Sequence, residues 1–138
     1  MRQGVKMSGL FDSTISLIEQ TLNLRSFKHK VLSSNIANLE TPGYRARDVK
    51  FADELKKIGG GSMAGGLVNT HPGHIGTSSG NSVNPEVTYV STEAKALDGN
   101  TVSVDAEMVK LSENTMMYSL SAKLIKAKFR TLMAAIKG

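Results

Sequence analysis

The chain has no cysteine. Disulfides, thiolate metal sites and a thiol nucleophile are therefore excluded. It has no tryptophan, and aromatic residues make up 5% of it. Its basic residues are thus not interleaved with aromatics, and no known nucleic-acid-binding motif frames them. No stretch is apolar for the roughly 20 residues of a membrane-spanning helix. The basic start, Met1–Lys6, is not followed by an apolar run with a small-residue cleavage site, so no cleavable signal peptide is expected. Met7 is a second candidate first residue, which would make Met1–Lys6 an extension.

Proline is also scarce, and neither proline nor glycine interrupts Val104–Ile136. Val104, Met108, Leu111, Thr115, Tyr118, Ala122, Ile125, Phe129, Leu132 and Ile136 alternate steps of four and three, the pattern that forms one seam of a heptad helix. Ser103 can cap its start, Asp105 and Glu107 fall in the first turn and Lys137 in the last, as the helix dipole favours. A rod roughly 50 Å long results. The net charge is +5. Much of it lies here, with Lys123, Lys126 and Arg130 flanking the seam on one side. A solvated helix face is the ordinary reading of such a flank, against an acidic partner or nucleic acid.

A second helix is predicted over residues 11–39. Phe11, Ile15, Ile18, Leu22, Arg25, His29, Leu32, Ile36 and Leu39 make one stripe. Leu10, Leu17, Leu24 and Val31 make another, at intervals of seven. The combined face is wider than one partner helix needs. Arg25 and His29 interrupt the first stripe, either setting register or reaching outward. Asn38 is a candidate left-handed residue at the helix end. Thr41-Pro42-Gly43-Tyr44 fits a type II turn, with proline second and glycine third. Small and amide-bearing residues up to the turn should let this helix end pack closely on a neighbour, with Asn35 and Asn38 hydrogen-bonding across the contact.

The expected fold is mostly α. Long N- and C-terminal helices pack as a coiled-coil-like pair, with an irregular, partly β-like, Gly-rich middle. The divisions are 1–10, an N-terminal extension; 11–44, helix and turn; 45–102, the middle, with a flexible 59–66; and 103–138, the heptad helix. Within the middle, Phe51, Ala52, Leu55 and Ile58 suggest a short amphipathic helix, and Val87-Thr88-Tyr89-Val90 the best strand. Asp98-Gly99-Asn100 reads as a turn. At 138 residues, with much loop, the core is thin, and the width of the first helix's face points to completion by other chains.

Candidate chemistry is sparse. His71-Pro72-Gly73-His74 lies in a loop with no carboxylate or thiolate close in sequence to complete a ligand set. The glycine clusters lack the frame of a phosphate loop, and no serine sits in a nucleophile elbow. Glu107 with Lys110 reads as a surface pair. Met108, Met116 and Met117, at helical spacing, read as core or subunit contact. No enzyme, metal or cofactor is expected.

Ser33–Tyr44, SSNIANLETPGY, resembles the motif near the N-terminus of the bacterial flagellar rod and hook family. RARDVKFADEL at Arg45–Leu55, the stretch Leu97–Val102, and Glu107-Met108 with Lys110–Asn114, Tyr118, Lys128-Phe129 and Ala135-Ile136 carry the likeness to its proximal-rod branch. It covers both ends of the chain and is poor over 59–96 beyond Thr70–Ile75. The resemblance implies a structural subunit of the proximal rod in the flagellar basal body, exported by the flagellar type III apparatus without a cleaved signal. Such subunits assemble helically through their terminal helices, transmit torque and enclose the export channel, on the periplasmic side of the inner-membrane ring. Implied partners are other copies of the chain, FlgC-like rod proteins, the adaptor FliE and the export gate or membrane ring.

With the seams, this assigns subunit packing to Phe11, Ile15, Ile18, Leu22, Leu32 and Ile36 in the first helix. In the turn region it assigns Asn35, Asn38, Pro42, Gly43 and Tyr44. In the last helix it assigns Met108, Leu111, Tyr118, Ile125, Phe129, Leu132 and Ile136. The competing readings are a cytoplasmic helical binding module such as an export chaperone, and a basic helical nucleic-acid binder. The first would fold alone and stay in the cytosol; the second would bind with an affinity that falls steeply with salt.

Overall fold

The computed structural model describes residues 7–59, 85–90, 97 and 99–138, with side chains from residue 13 onward. Helix α1 spans Met7–Ala37, strand β1 Arg47–Val49, helix α2 Phe51–Gly59, strand β2 Val87–Tyr89 and helix α3 Val104–Lys137. The fold is mostly helical, with long helices at both ends, as expected. The histidine pair, Met1–Lys6, residues 60–66 of the expected flexible stretch and the side chain of Phe11 lie outside the described residues.

α1 and α3 pack against each other as an antiparallel pair. The last turns of α1 meet the first turn of α3 through Asn35 and Glu107, while Arg25, further back on α1, meets Asn114, further on in α3. α3 starts and stops where its sequence says it should. Ser103 occupies the N-cap position, though its side chain makes no capping bond, and Gly138 closes the C-terminus with φ of 51°.

The width of the α1 face has an explanation within the chain. Leu24 and Val31, from the seven-residue stripe, form a buried cluster with Val49 of β1, flanked by Phe27, Phe51, Ile58 and Val87. Thus β1, α2 and β2 cover one side of α1 and α3 packs on another. β1 and β2 pair antiparallel, with Arg47 opposite Tyr89, Asp48 opposite Thr88 and Val49 opposite Val87. The ladder is short, but it returns the chain to α1. α2 presents Phe51, Leu55 and Ile58 inward, as its spacing predicts, and leaves Ala52 in solvent. Glu54 is buried with them, held by Lys57 at 2.7 Å.

The α3 seam is rotated from the one its apolar spacing defines. The most buried residues of α3 are Glu107 and Asn114, seven apart and both polar. Leu111, Ile125 and Leu132 are half-buried beside them. Met108, Tyr118, Phe129 and Ile136, on the expected seam, are exposed.

Candidate functional site

The site is built where α1 ends. Asn38 does not take the left-handed conformation: no described non-glycine residue has positive φ. The helix instead tightens, with Asn38, Leu39 and Thr41 each donating to the carbonyl three residues back. The Asn38 amide donates to the Ser34 carbonyl at 2.8 Å. The turn that follows is the one the sequence predicts. Tyr44 N–H donates to the Thr41 carbonyl at 3.2 Å, and Gly43 has φ of 71°.

Ending the helix leaves carbonyls without intrahelical partners. They are met by Asn100, a residue that sequence reasoning placed only in a turn. Its Nδ2 lies 3.1, 2.7 and 2.8 Å from the carbonyls of Asn38, Leu39 and Thr41. Its Oδ1 accepts from Val102 N–H at 2.8 Å, which fixes the side chain. Next to it, Thr101 N–H donates to the Tyr44 carbonyl, and Ala46 N–H donates to the Thr101 hydroxyl at 2.8 Å. Gly99, with φ of 79°, brings this turn against the first one. A Cβ added there would lie 3.7 Å from the Gly43 Cα.

Asn35 is the hub of the arrangement, with no exposed surface. Its Nδ2 donates to the Arg47 carbonyl at 2.6 Å and to Glu107 Oε2 at 2.8 Å. Its Oδ1 accepts from Arg47 N–H at 3.0 Å and from the Tyr44 hydroxyl at 3.2 Å. All four hydrogen-bonding sites of the amide are used. Because Arg47 N–H and C=O both go to Asn35, the side chain pairs with β1 as a neighbouring strand would. The Arg47 guanidinium returns to the Ser34 hydroxyl at 3.2 Å, which lies 3.3 Å from the Tyr44 hydroxyl.

Glu107 joins this amide to a line of charges. Lys110 Nζ lies 3.2 Å from Glu107 Oε1 and 3.3 Å from Asp48 Oδ2, and Lys28 lies 3.4 Å from Asp48 Oδ1. The Glu107–Lys110 pair is therefore no surface pair: spacing of three is the same on either face, and this one points inward. Burial pushes the Asp48 carboxyl up, but the Val49 N–H and the charges of Lys28 and Lys110 outweigh it, and its pKa falls below the ordinary value. Burial pushes Lys110 down, but Glu107 and Asp48 outweigh it and raise its pKa. One heptad on, Asn114 Nδ2 donates to the Arg25 carbonyl at 2.9 Å. The Arg25 guanidinium approaches Asn114 Oδ1 at 3.5 Å and stacks 4.0 Å from the Phe51 ring centre. Burial lowers its pKa, partly offset by Glu113. Of the two residues interrupting the α1 stripe, Arg25 thus sits at the junction of α1, α2 and α3, and His29 points to solvent.

The clasp brings together Asn35, Asn38, Gly43 and Tyr44 from the turn region, and their hydrogen bonds are made within the chain. Leu32 is also fully buried inside it. Ile15, Ile18, Leu22, Ile36, Leu111, Ile125 and Leu132 are half-buried, and Pro42 is exposed. Met108, Tyr118, Phe129 and Ile136 stand outward on α3 with Val109, Met116, Leu120, Leu124 and Met133. At about 100° per residue these positions make a broad apolar band that wraps much of α3, and the rest of the described chain leaves it largely open. No helix among the described residues is long and apolar enough to cross a membrane.

These features define a structural chain: two long terminal helices, locked at one end by a saturated polar clasp, the second of them apolar on its outside. Residues 19–45, the second half of α1 with its turn, match a family described as flagella basal body rod protein. Over 131 residues the chain is 34% identical to the flagellar basal body rod protein FlgB of Salmonella typhimurium, covering 92% of this chain and 95% of that one. It is 32% identical to the FlgB of Escherichia coli over the same shares. With the FlgB of Cereibacter sphaeroides it is 36% identical over 132 residues, 96% of this chain and 99% of the relative. The chain belongs to the FlgB family of flagellar basal body rod proteins, structural subunits and not enzymes.

Proposed function

We propose that this rod subunit assembles helically by packing the outward faces of α3 and α1 against neighbouring copies and FlgC-like rod proteins. In that arrangement the terminal helices transmit torque and line the export channel. The apolar band on α3 supports this reading. Phe129 is 50% exposed and Ile136 78%. Bands of this extent are rare on chains that act alone. The clasp contributes differently, by fixing the helix pair that carries the band. The subunit's place is the proximal end of the rod, on the periplasmic side of the inner-membrane ring. There FliE and the export gate are its neighbours, and it arrives without a cleaved signal peptide.

The test is isolation of detergent-extracted basal bodies followed by quantitative mass spectrometry. The wild-type chain is expected in stoichiometric amount. A Leu124→Asp/Phe129→Asp variant is expected at wild-type levels in the cell and to be missing from the basal bodies. Full incorporation of that variant would sink the interface assignment. Retention of the wild-type chain in the cytosol, while other rod proteins are incorporated, would sink the function.

A further inference from the structure

The charge of the chain is not spread along it. Residues 123–137 hold five bases, Lys123, Lys126, Lys128, Arg130 and Lys137, and no acid. Glu113 is the last acid in the sequence, and outside this stretch 12 bases match 12 acids. The whole net charge of +5 therefore belongs to the far half of α3. Four of the five bases share one side of the helix. Lys123, Lys126, Arg130 and Lys137 step by three, four and seven, which keeps them within about 60° of its circumference. Lys123 is nine positions from both Asn114 and Leu132, half a turn round the helix, so the row faces away from α1. All four are exposed, and among the described residues none of them makes an ion pair.

Apolar side chains border the row on both sides. Phe129 and Met133 lie along one edge, Leu120 and Leu124 along the other, each at least half exposed. This arrangement discriminates between occupants. On a bilayer a surface helix buries one continuous apolar face and carries its cations at the borders. Here the cations run through the middle, and the side opposite them is taken by α1. A nucleic acid would neutralise the row through its phosphates and leave both apolar edges in water. A second copy of the same half of α3 would set five cations against five. Nor does any helix of the described chain carry a matching row of acids: α1 has Asp12 and Glu19, α2 has Asp53 and Glu54, and α3 has Asp105, Glu107 and Glu113. Of these, Glu54 and Glu107 are buried.

We infer, resting on the reading of α3 as an assembly face, that its far half docks a different chain. The occupant is an acidic helix whose carboxylates, three and four residues apart, meet Lys123, Lys126, Arg130 and Lys137, with apolar residues beside them that cover the two edges. The edges supply the affinity. The row supplies the choice of partner and its direction, because complementary charge steers and aligns a contact more than it tightens it. The same charge keeps copies of the chain off this half of α3 and leaves them α1 and the near half.

A water-soluble carbodiimide joins a lysine amine to a carboxylate in contact with it, with no spacer between. Isolated basal bodies carrying the wild-type chain are treated with it, and the peptides joined to Lys123, Lys126 and Lys137 are read by mass spectrometry. Aspartates or glutamates of another protein, at helical spacing, are expected. Carboxylates of this same sequence would overturn the inference. So would no joined peptide, the result that a lipid or a nucleic acid in that place would leave. A second arm neutralises the row. Lys123→Gln/Lys126→Gln/Arg130→Gln/Lys137→Gln removes no ion pair made within the described chain and is expected to keep wild-type circular dichroism, while its incorporation into basal bodies falls severalfold. Lys123→Arg/Lys126→Arg/Lys137→Arg keeps the charges and is expected to incorporate as the wild type does. Full incorporation of the glutamine variant would overturn the inference and leave α3 standing as an interface. Absence of the wild-type chain from basal bodies would sink it together with the reading it rests on.

Discussion

At the scale of single residues, the clasp depends on side chains whose hydrogen-bonding capacity is fully used. Asn100 has no substitute for its place under the three carbonyls at the end of α1. Asn100→Ala is expected to destabilise the chain by about 1–3 kcal/mol, the cost of leaving buried polar groups unmet. Urea unfolding would measure it. Asp48 gives the clasp a pH dependence of known sign. Its folded pKa lies below its unfolded value, so its contribution is complete above the unfolded pKa and is lost as pH falls through the folded one. Lys110 works the other way: its raised pKa contributes below its unfolded value and is lost as pH rises through the folded one. Asp48→Asn is therefore expected to be less stable than the parent at neutral pH and to lose less on acidification to below about pH 4. Unfolding midpoints at the two pH values would check it. The Pro42-Gly43 turn was legible in the sequence, because only certain residues tolerate its geometry. The roles of Asn100 and Glu107 were not, since an asparagine in a turn and an acid three before a lysine are ordinary on any surface.

At the scale of elements, both long helices and the short α2 follow from apolar spacing. The spacing did not reveal which face of α3 would turn inward. Heptad counting ranks Phe129 and Ile136 with Leu111 and passes over Glu107 and Asn114, because it scores apolarity and not partners. The difference is measurable. Leu32, fully buried in α1, is expected to lose about 2–5 kcal/mol on substitution by alanine. Phe129→Ala leaves a ring already half in water and is expected to cost the isolated chain less than about 2 kcal/mol, while weakening rod assembly. Urea denaturation of both variants beside their incorporation into basal bodies separates folding from assembly. The wide face of α1 was visible in the sequence. That β1, α2 and β2 would cover part of it was not, because strands of three residues carry almost no periodic signal.

At the scale of the whole molecule, order is concentrated at one end. The clasp, the Leu24–Val31–Val49 cluster and the ladder all gather around the second half of α1, and the far half of α3 has little packed on it. Hydrogen exchange of the unassembled chain is expected to show the slowest amides within residues 24–35 and fast exchange within residues 126–137. Assembly is expected to slow the second group by burying it. Equal protection along α3 in the free chain would contradict this picture.

The pairing of Val49 with Val87 has a consequence for how this family can diversify. The end of α2 and the start of β2 are held side by side: Ile58 and Val87 pack on the same cluster, and Lys57 lies 3.6 Å from Glu86. For a flexible closed loop, doubling its length costs only about 0.6 kcal/mol. Sequence inserted between Gly59 and Pro85 thus leaves the path of both helices unaltered. Here the subunit can acquire a longer appendage without redesign of the parts that stack, and relatives can differ in size while building the same rod.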